Sequence, residues 1–155
     1  MSLRDRLDEE LKAAMRSSDA TRRDALRMVL AAVQKVEKET THGRALTDDE
    51  MLGVLTKELK VRNESVETFR AGGRADLVAK EEAAISVVSE FMPQPLSEAE
   101  LRALVEQAIA ETGAATPRDM GKVMGWLSPK TRGRADGKVV SQLVTQLLAA
   151  NPAGS

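Results

Sequence analysis

The chain has 155 residues, which suits one large domain or two small ones, and 42% of them are apolar, which is enough for a packed core. The absence of cysteine excludes disulfides, cysteine-ligated zinc, iron–sulfur clusters and a thiol nucleophile. The net charge of −1, from 23 Lys and Arg against 24 Asp and Glu, excludes a polyanion and a globally basic protein. With only three aromatic residues and an apolar set of mainly Ala, Leu, Val and Met, the composition favours helices over strands.

Apolar residues spaced three and four apart predict four helices in the first part of the chain. The third helix opens at Thr47 with a capping box, in which the Thr47 hydroxyl and the Glu50 carboxylate bind each other's backbone amides. It stops at the glycine pair Gly72-Gly73. The other three helices are predicted at about residues 3–16, 21–38 and 76–91.

Pro93-Gln94-Pro95 is the best boundary in the chain, because proline has no amide proton and disfavours helix geometry in the residue before it. Three more helices follow this boundary. The fifth starts at a capping box at Ser97 and ends at Gly113, the sixth runs from Thr116-Pro117 to Leu127 before Ser128-Pro129, and Asp136 caps the seventh. The prediction is an all-α protein with a four-helix unit (1–92), a proline linker (93–96), a three-helix unit (97–150) and a frayed tail (151–155).

Residues needed for hydrolysis, nucleotide binding or metal binding do not form a complete motif. The chain has no Gly-x-Ser-x-Gly turn and no Gly-x-x-x-x-Gly-Lys-Ser/Thr loop, and His42 is its only histidine. Glu39 and His42 have Glu-x-x-His spacing, but di-metal bundles need a second histidine, and the pair lies where a helix ends. Adjacent carboxylates such as Glu9 and Glu10 diverge by about 100° on a helix. We therefore expect no catalytic residue, no metal ligand and no cofactor.

Positive charge is concentrated near the C-terminus. Residues 118–138 contain six cations against two carboxylates, a net charge of +4. Three of the cations lie in a glycine-containing loop before a helix start, where cations and backbone amides suit phosphate oxygens; an ordinary solvated loop is the alternative. With Trp126 as the only aromatic nearby, a nucleic acid would be contacted through its backbone and shape, as in folded RNA. The candidate phosphate-binding residues are Lys122, Lys130, Arg132, Arg134 and Lys138.

Gly121 and Gly125 lie four residues apart on one face of the sixth predicted helix, and Gly133 lies in the basic loop. A glycine inside a helix costs about 1 kcal/mol relative to alanine, so something is expected to approach that face closely. A neighbouring helix of the same unit and an RNA backbone or partner helix are the two alternatives.

Several motifs resemble the GatB/YqeY family. The first is the run Asp119-Met120-Gly121-Lys122-Val123-Met124-Gly125, followed by Lys130, Gly133, Ala135-Asp136-Gly137 and Val140. Upstream motifs extend the resemblance to nearly the whole chain and point to stand-alone YqeY-like proteins: Arg27-Met28, Glu58-Leu59-Lys60-Val61-Arg62, and Phe91-Met92-Pro93-Gln94-Pro95-Leu96-Ser97.

The resemblance implies two helical domains, of which the second is similar to the tail of the B subunit of the glutamine-dependent glutamyl/aspartyl-tRNA amidotransferase. In that enzyme the tail helps to hold the tRNA. The kinase-like cradle and the amidase subunit of that enzyme have no counterpart in this chain. A family label of carbon–nitrogen ligase with glutamine as amide donor would therefore attach by association.

The leading expectation is a tRNA-binding accessory module that is not catalytic by itself. The alternative is a helical adaptor that docks on a synthetase or amidotransferase, since the near-neutral first unit is a poor RNA surface. A subunit that contributes residues to a shared catalytic site is a third reading. The charged N-terminus lacks the apolar run of a signal peptide, and no stretch is apolar enough to span a membrane, which predicts a cytoplasmic protein.

Overall fold

The computed structural model describes residues 1–150, and within them all regular structure is helical, which confirms the all-α prediction. The predicted frayed tail, 151–155, lies outside the described residues. A short 3₁₀ turn, Pro117–Asp119, precedes the sixth helix. The helices are α1 (Leu3–Arg16), α2 (Ala20–Glu39), α3 (Asp48–Ala71), α4 (Ala75–Ser89), α5 (Glu98–Thr112), α6 (Met120–Thr131) and α7 (Gly137–Ala149).

Polar caps at the helix starts follow the sequence in most places. The predicted capping box of α3 is present: the Thr47 hydroxyl accepts from the Glu50 amide at 3.2 Å, and the Glu50 carboxylate accepts from the Thr47 amide at 3.4 Å. At α5 only half of the predicted box forms, in which the Ser97 hydroxyl accepts from the Glu100 amide at 3.1 Å. A capping box that was not predicted forms at the start of α1, between Ser2 and Asp5.

The chain divides into two compact units, residues 1–92 and the part that begins at Pro93. In the first unit α1 to α4 pack around one apolar core, with the most extensive pairing between α3 and α4. Most members of this core come from α1, α2 and α3. The fully buried side chains include Leu7, Leu26, Val29, Val33, Met51, Leu55 and Val88.

In the second unit α5, α6 and α7 each pack against the other two and enclose a separate apolar core. This core shares no residue with that of the first unit. Val123 and Leu127 of α6 are fully buried at its centre. The other members are Leu101, Val105, Ala108, Ala114, Val140, Val144 and Leu148.

The predicted end of the sixth helix is wrong. Helix α6 begins at Met120, after the 3₁₀ turn, and continues through Pro129 to Thr131 instead of stopping at Leu127. Thr131 is 5% exposed, and its hydroxyl donates to the Leu127 carbonyl at 3.2 Å. Pro129 removes only one backbone hydrogen bond, near the helix end and on an exposed face, so the packing of the last turn outweighs its cost.

Residues of the proline-rich segment are attached to the second unit. The Leu96 amide donates to the Arg134 carbonyl at 2.8 Å, and the Arg134 Nε–H donates to the Gln94 carbonyl at 2.9 Å. These bonds satisfy backbone groups that the prolines would otherwise leave without helical partners. Gln94 and Leu96 are therefore part of the support of the three-helix unit.

Candidate nucleic-acid interface

Arginines of the first unit are largely neutralised by carboxylates. Within residues 1–150 the ion pairs of this unit involve Arg4, Arg22, Arg23, Arg44, Arg62, Arg70 and Arg74. Arg22, for example, bridges Glu10 at 2.7 Å and Glu90 at 2.5 Å, and the hydrogen bonds to these two carboxylates raise its pKa. Most arginines of this unit are thereby paired, whereas none of its lysines forms an ion pair among residues 1–150.

Residues 118–138, called here the basic segment, have no such compensation. Among the described residues no ion pair involves Arg118, Lys122, Lys130, Arg132 or Lys138, and the second unit's ion pair joins Arg102 to Glu106 on α5. The local charge of +4 is therefore not neutralised by ion pairs within the described residues.

Both carboxylates of the basic segment are engaged by backbone amides. Asp119 accepts from the Ala115 amide at 2.8 Å and the Thr116 amide at 3.1 Å. These two bonds are the main cause of its lowered pKa, to which the charge of Lys122 adds. Asp136 accepts from the Lys138 amide at 2.8 Å and caps α7, which confirms its predicted role. The acids therefore hold the backbone and leave the lysine and arginine side chains available.

Lys122, Trp126 and Lys130 form a row along α6, because residues four apart lie on the same side of a helix. The Lys130 ammonium lies over the Trp126 ring, 4.1 Å from its centroid. The indole N–H donates to the Glu111 carboxylate of α5 at 3.1 Å. The spacing of four residues on a helix places Lys130 next to Trp126. Nothing in the sequence indicates the hydrogen bond to Glu111, because Glu111 belongs to another helix.

The loop after α6 separates its two arginines. Arg132 is exposed, and among residues 1–150 its side chain has no hydrogen-bond or ion-pair partner. Gly133 has a φ of +74°, so the backbone itself requires a glycine there. Arg134 is half-buried and uses its Nε–H on the Gln94 carbonyl. Arg132 is the cation of this loop that can bind a ligand without breaking an existing contact.

Lys138 completes the set of predicted phosphate-binding residues. It is exposed in the first turn of α7, where backbone amides are not yet used by the helix. The basic segment thus offers cations from α6, from the following loop and from the start of α7.

Gly121 and Gly125 lie on the exposed face of α6. A Cβ built on either residue meets no atom within 4 Å in the described chain. The alternative that these glycines admit a neighbouring helix of the same unit is therefore wrong. The other alternative, an RNA backbone or a partner helix against this face, stays a prediction.

The Glu39–His42 pair does not share a helix face. Helix α2 ends at Glu39, and His42 lies beyond it with a φ of +53°. In the part of the chain that the structure describes, no three histidine or acidic side chains come together as metal ligands. None of the described helices has the length and apolar character to cross a bilayer.

A groove of about 460 Å³, lined by both apolar and polar side chains, lies between α5 and α7. Leu101, Val139 and Leu143 line it, and the Val139 side chain is 50% exposed. Glu98 and Arg102 border it with opposite charges. The sequence contains the apolar residues but not the pairing of α5 with α7 that brings them together.

A sequence model of the family described as "Yqey-like protein" matches residues 4–148. A protein of Pyrenophora tritici-repentis is 31% identical over 150 residues, which cover 94% of this chain and 80% of that protein. A protein of Lachancea thermotolerans is 27% identical over 146 residues, which cover 90% of this chain and 78% of its own. Both are named "Altered inheritance of mitochondria protein 41, mitochondrial".

Both relatives are named as mitochondrial proteins, and this contradicts the prediction of a cytoplasmic protein. The physical reason for the error lies in the criterion. An apolar run marks a secretory signal, whereas mitochondrial targeting segments are amphipathic and rich in arginine. The lack of an apolar run near Met1 therefore does not distinguish the cytoplasm from the mitochondrion.

Proposed function

The chain belongs to the YqeY-like protein family, and from this membership we propose that it is a tRNA-binding accessory module without catalytic activity of its own. The uncompensated charge of the basic segment is the observation that carries the proposal. Phosphate contacts supply most of the affinity in protein–nucleic acid complexes, and they require cations that are not already neutralised. Lys122, Lys130, Arg132 and Lys138 meet that requirement.

The relation to the tail of a tRNA-dependent amidotransferase supports tRNA as the nucleic acid. It rests on the run Asp119–Gly125 with Lys130, Gly133 and Asp136. In this proposal the exposed Gly121 and Gly125 let an RNA backbone approach α6 closely. The carbon–nitrogen ligase label of the family would describe reactions of an assembled amidotransferase, to which this chain would contribute tRNA contacts.

The proposal is tested by fluorescence anisotropy of labelled total tRNA, titrated with the full chain at several salt concentrations. Four to six phosphate contacts predict binding that weakens steeply with salt, with a log–log slope of about −3 to −5. The double variant Arg132→Glu/Lys138→Glu should bind at least about tenfold more weakly and flatten the slope by about 2. Glutamate is compatible with the first turn of α7, so this variant should fold.

The matched control is Lys57→Glu/Lys60→Glu, which makes the same charge change on exposed positions of α3. It should bind tRNA about as well as the unchanged chain. Equal weakening by both double variants would mean that net charge, not the basic segment, governs binding. No binding at low salt would overturn the proposal. Arg134 is left intact in both variants, because its side chain also holds the Gln94 carbonyl.

A second candidate function is a helical adaptor that docks on a synthetase or amidotransferase. The groove between α5 and α7 favours it, because an amphipathic helix buries its apolar face in grooves of this kind. Val139→Gln would place an uncharged polar side chain on the exposed wall of the groove. If the adaptor function is correct, this variant loses the partner in pull-downs from mitochondrial lysate while its tRNA affinity is unchanged.

A further inference from the structure

Trp126 is the one feature of the basic segment that phosphate binding does not use. It is the single tryptophan of the chain, and it is only partly buried on the second unit's core. A tryptophan side chain left partly in water exposes apolar surface that a neighbouring cation covers only loosely. Exposed positions bracket it one turn away on each side, at Lys122 and Lys130.

We propose that Trp126 is a stacking platform for one unpaired base of the bound RNA, with Lys130 binding the phosphate of the same nucleotide. This inference rests on the proposed RNA-binding function and names the part of the RNA that the segment recognises. Total aromatic content is low, but one indole is sufficient for one base, and every base has a flat face that can stack.

The surroundings of the indole ring support the proposal. The hydrogen bond from its N–H to Glu111, 3.1 Å long, fixes the plane of the ring relative to α5 and α6. The Glu111 carboxylate binds at the edge of the ring, so a face remains for stacking. The ring is thus held in place and partly exposed.

Lys130 occupies the position where the base would stack, 4.1 Å from the ring centroid. An exposed contact between a cation and a ring shifts an equilibrium by only about two- to fivefold. Stacking of one base on an aromatic side chain changes affinity by about fivefold to over a hundredfold. A base therefore displaces the ammonium group, which then reaches the adjacent phosphate on its flexible side chain.

The single tryptophan makes the proposal testable in the unchanged protein. Its emission is recorded while a 12-nucleotide single-stranded RNA or a blunt RNA duplex of equal length is added. Stacking predicts strong quenching by the single strand at saturation and little quenching by the duplex, because paired bases are already stacked. Equal emission changes with both RNAs, or none with the single strand, would overturn it.

Two variants extend the test through anisotropy. Trp126→Leu keeps an apolar side chain against the core but removes the ring, and it should bind the single strand about tenfold more weakly. Trp126→Phe should recover part of that loss, whereas affinity for the duplex should change less than twofold in both variants. Each variant is first compared with the unchanged protein by thermal melting, so that misfolding is recognised.

The outcomes separate this inference from the function on which it rests. If Trp126→Leu binds every RNA like the unchanged chain while Arg132→Glu/Lys138→Glu does not, stacking is wrong and phosphate binding stands. If the unchanged chain binds no RNA at low salt, both proposals fail. A loss of single-strand affinity in Trp126→Leu that Trp126→Phe does not recover would also contradict stacking, because phenylalanine retains an aromatic face.

Discussion

At the residue scale, Asp119 illustrates why the acids of the basic segment do not form ion pairs with its cations. Its carboxylate satisfies the Ala115 and Thr116 amides just before α6, where no helical carbonyl is available to them. Those bonds favour the ionised form and lower its pKa. The acid nearest to Lys122 in the chain is thereby committed to the backbone.

The lowered pKa of Asp119 predicts a dependence of stability on pH. The stabilisation is fully present above the unfolded-state value of about 3.9 and disappears as the pH falls through the lower folded-state value. Asp119→Asn does not titrate, so its melting temperature should be lower at pH 7 but should fall less between pH 7 and 3. Thermal melting followed by circular dichroism measures both trends. Parallel curves for the two proteins would contradict the role given to the ionised carboxylate.

At the element scale, α6 separates what sequence patterns predict from what they miss. Its apolar stripe, with Val123 and Leu127 buried, is visible as a 3.6-residue period. The last turn of α6 is not visible in the sequence, because Pro129 is a local signal for the end of a helix. The packing of Thr131 outweighs that signal, and this packing depends on α5 and α7. The same holds for the site, where the cations can be identified from the local charge of the sequence. The Arg134–Gln94 and Trp126–Glu111 hydrogen bonds cannot, because they join positions that are distant in the sequence.

The two exposed glycines of α6 give a prediction with opposite signs for stability and binding. Gly121→Ala/Gly125→Ala should stabilise the second unit by about 1 kcal/mol per substitution, because alanine is the better helix former and its Cβ meets no atom of the described chain. If an RNA backbone approaches this face, the same variant should bind tRNA more weakly. Thermal melting and anisotropy measure the two effects.

Gly53→Ala is the matched control, since Gly53 is also exposed inside a helix, α3, with open space around a built Cβ. This single substitution should raise the free energy of unfolding by about 1 kcal/mol and leave tRNA affinity unchanged. Unaltered tRNA binding by the α6 variant would show that its glycines are not needed for close approach.

At the scale of the whole molecule, each of the two units has its own apolar core. The break at Pro93 falls at the division. The attachment of Gln94 and Leu96 to Arg134 was not visible, because hydrogen bonds between residues about 40 positions apart leave no local pattern.

Because the two cores are separate, a cavity made in one core should destabilise mainly the unit that contains it. Leu127→Ala should destabilise the second unit by about 2–5 kcal/mol, because the side chain is fully buried, and should accelerate amide hydrogen exchange in α5 to α7. Leu55→Ala, the equivalent truncation in the first unit's core, should do so in α1 to α4. Exchange measured by mass spectrometry distinguishes the two patterns. Faster exchange in all seven helices from either variant would contradict this division.

The contrast between paired arginines in the first unit and unpaired cations in the basic segment has a practical consequence for purification. A net charge of −1 suggests a protein that a cation exchanger would not retain at neutral pH. A dense polyanion such as heparin responds to the local charge of +4 within residues 118–138 rather than to the mean. The protein should therefore stay on a heparin column in low salt and elute as the salt concentration rises, in spite of its slightly negative total charge.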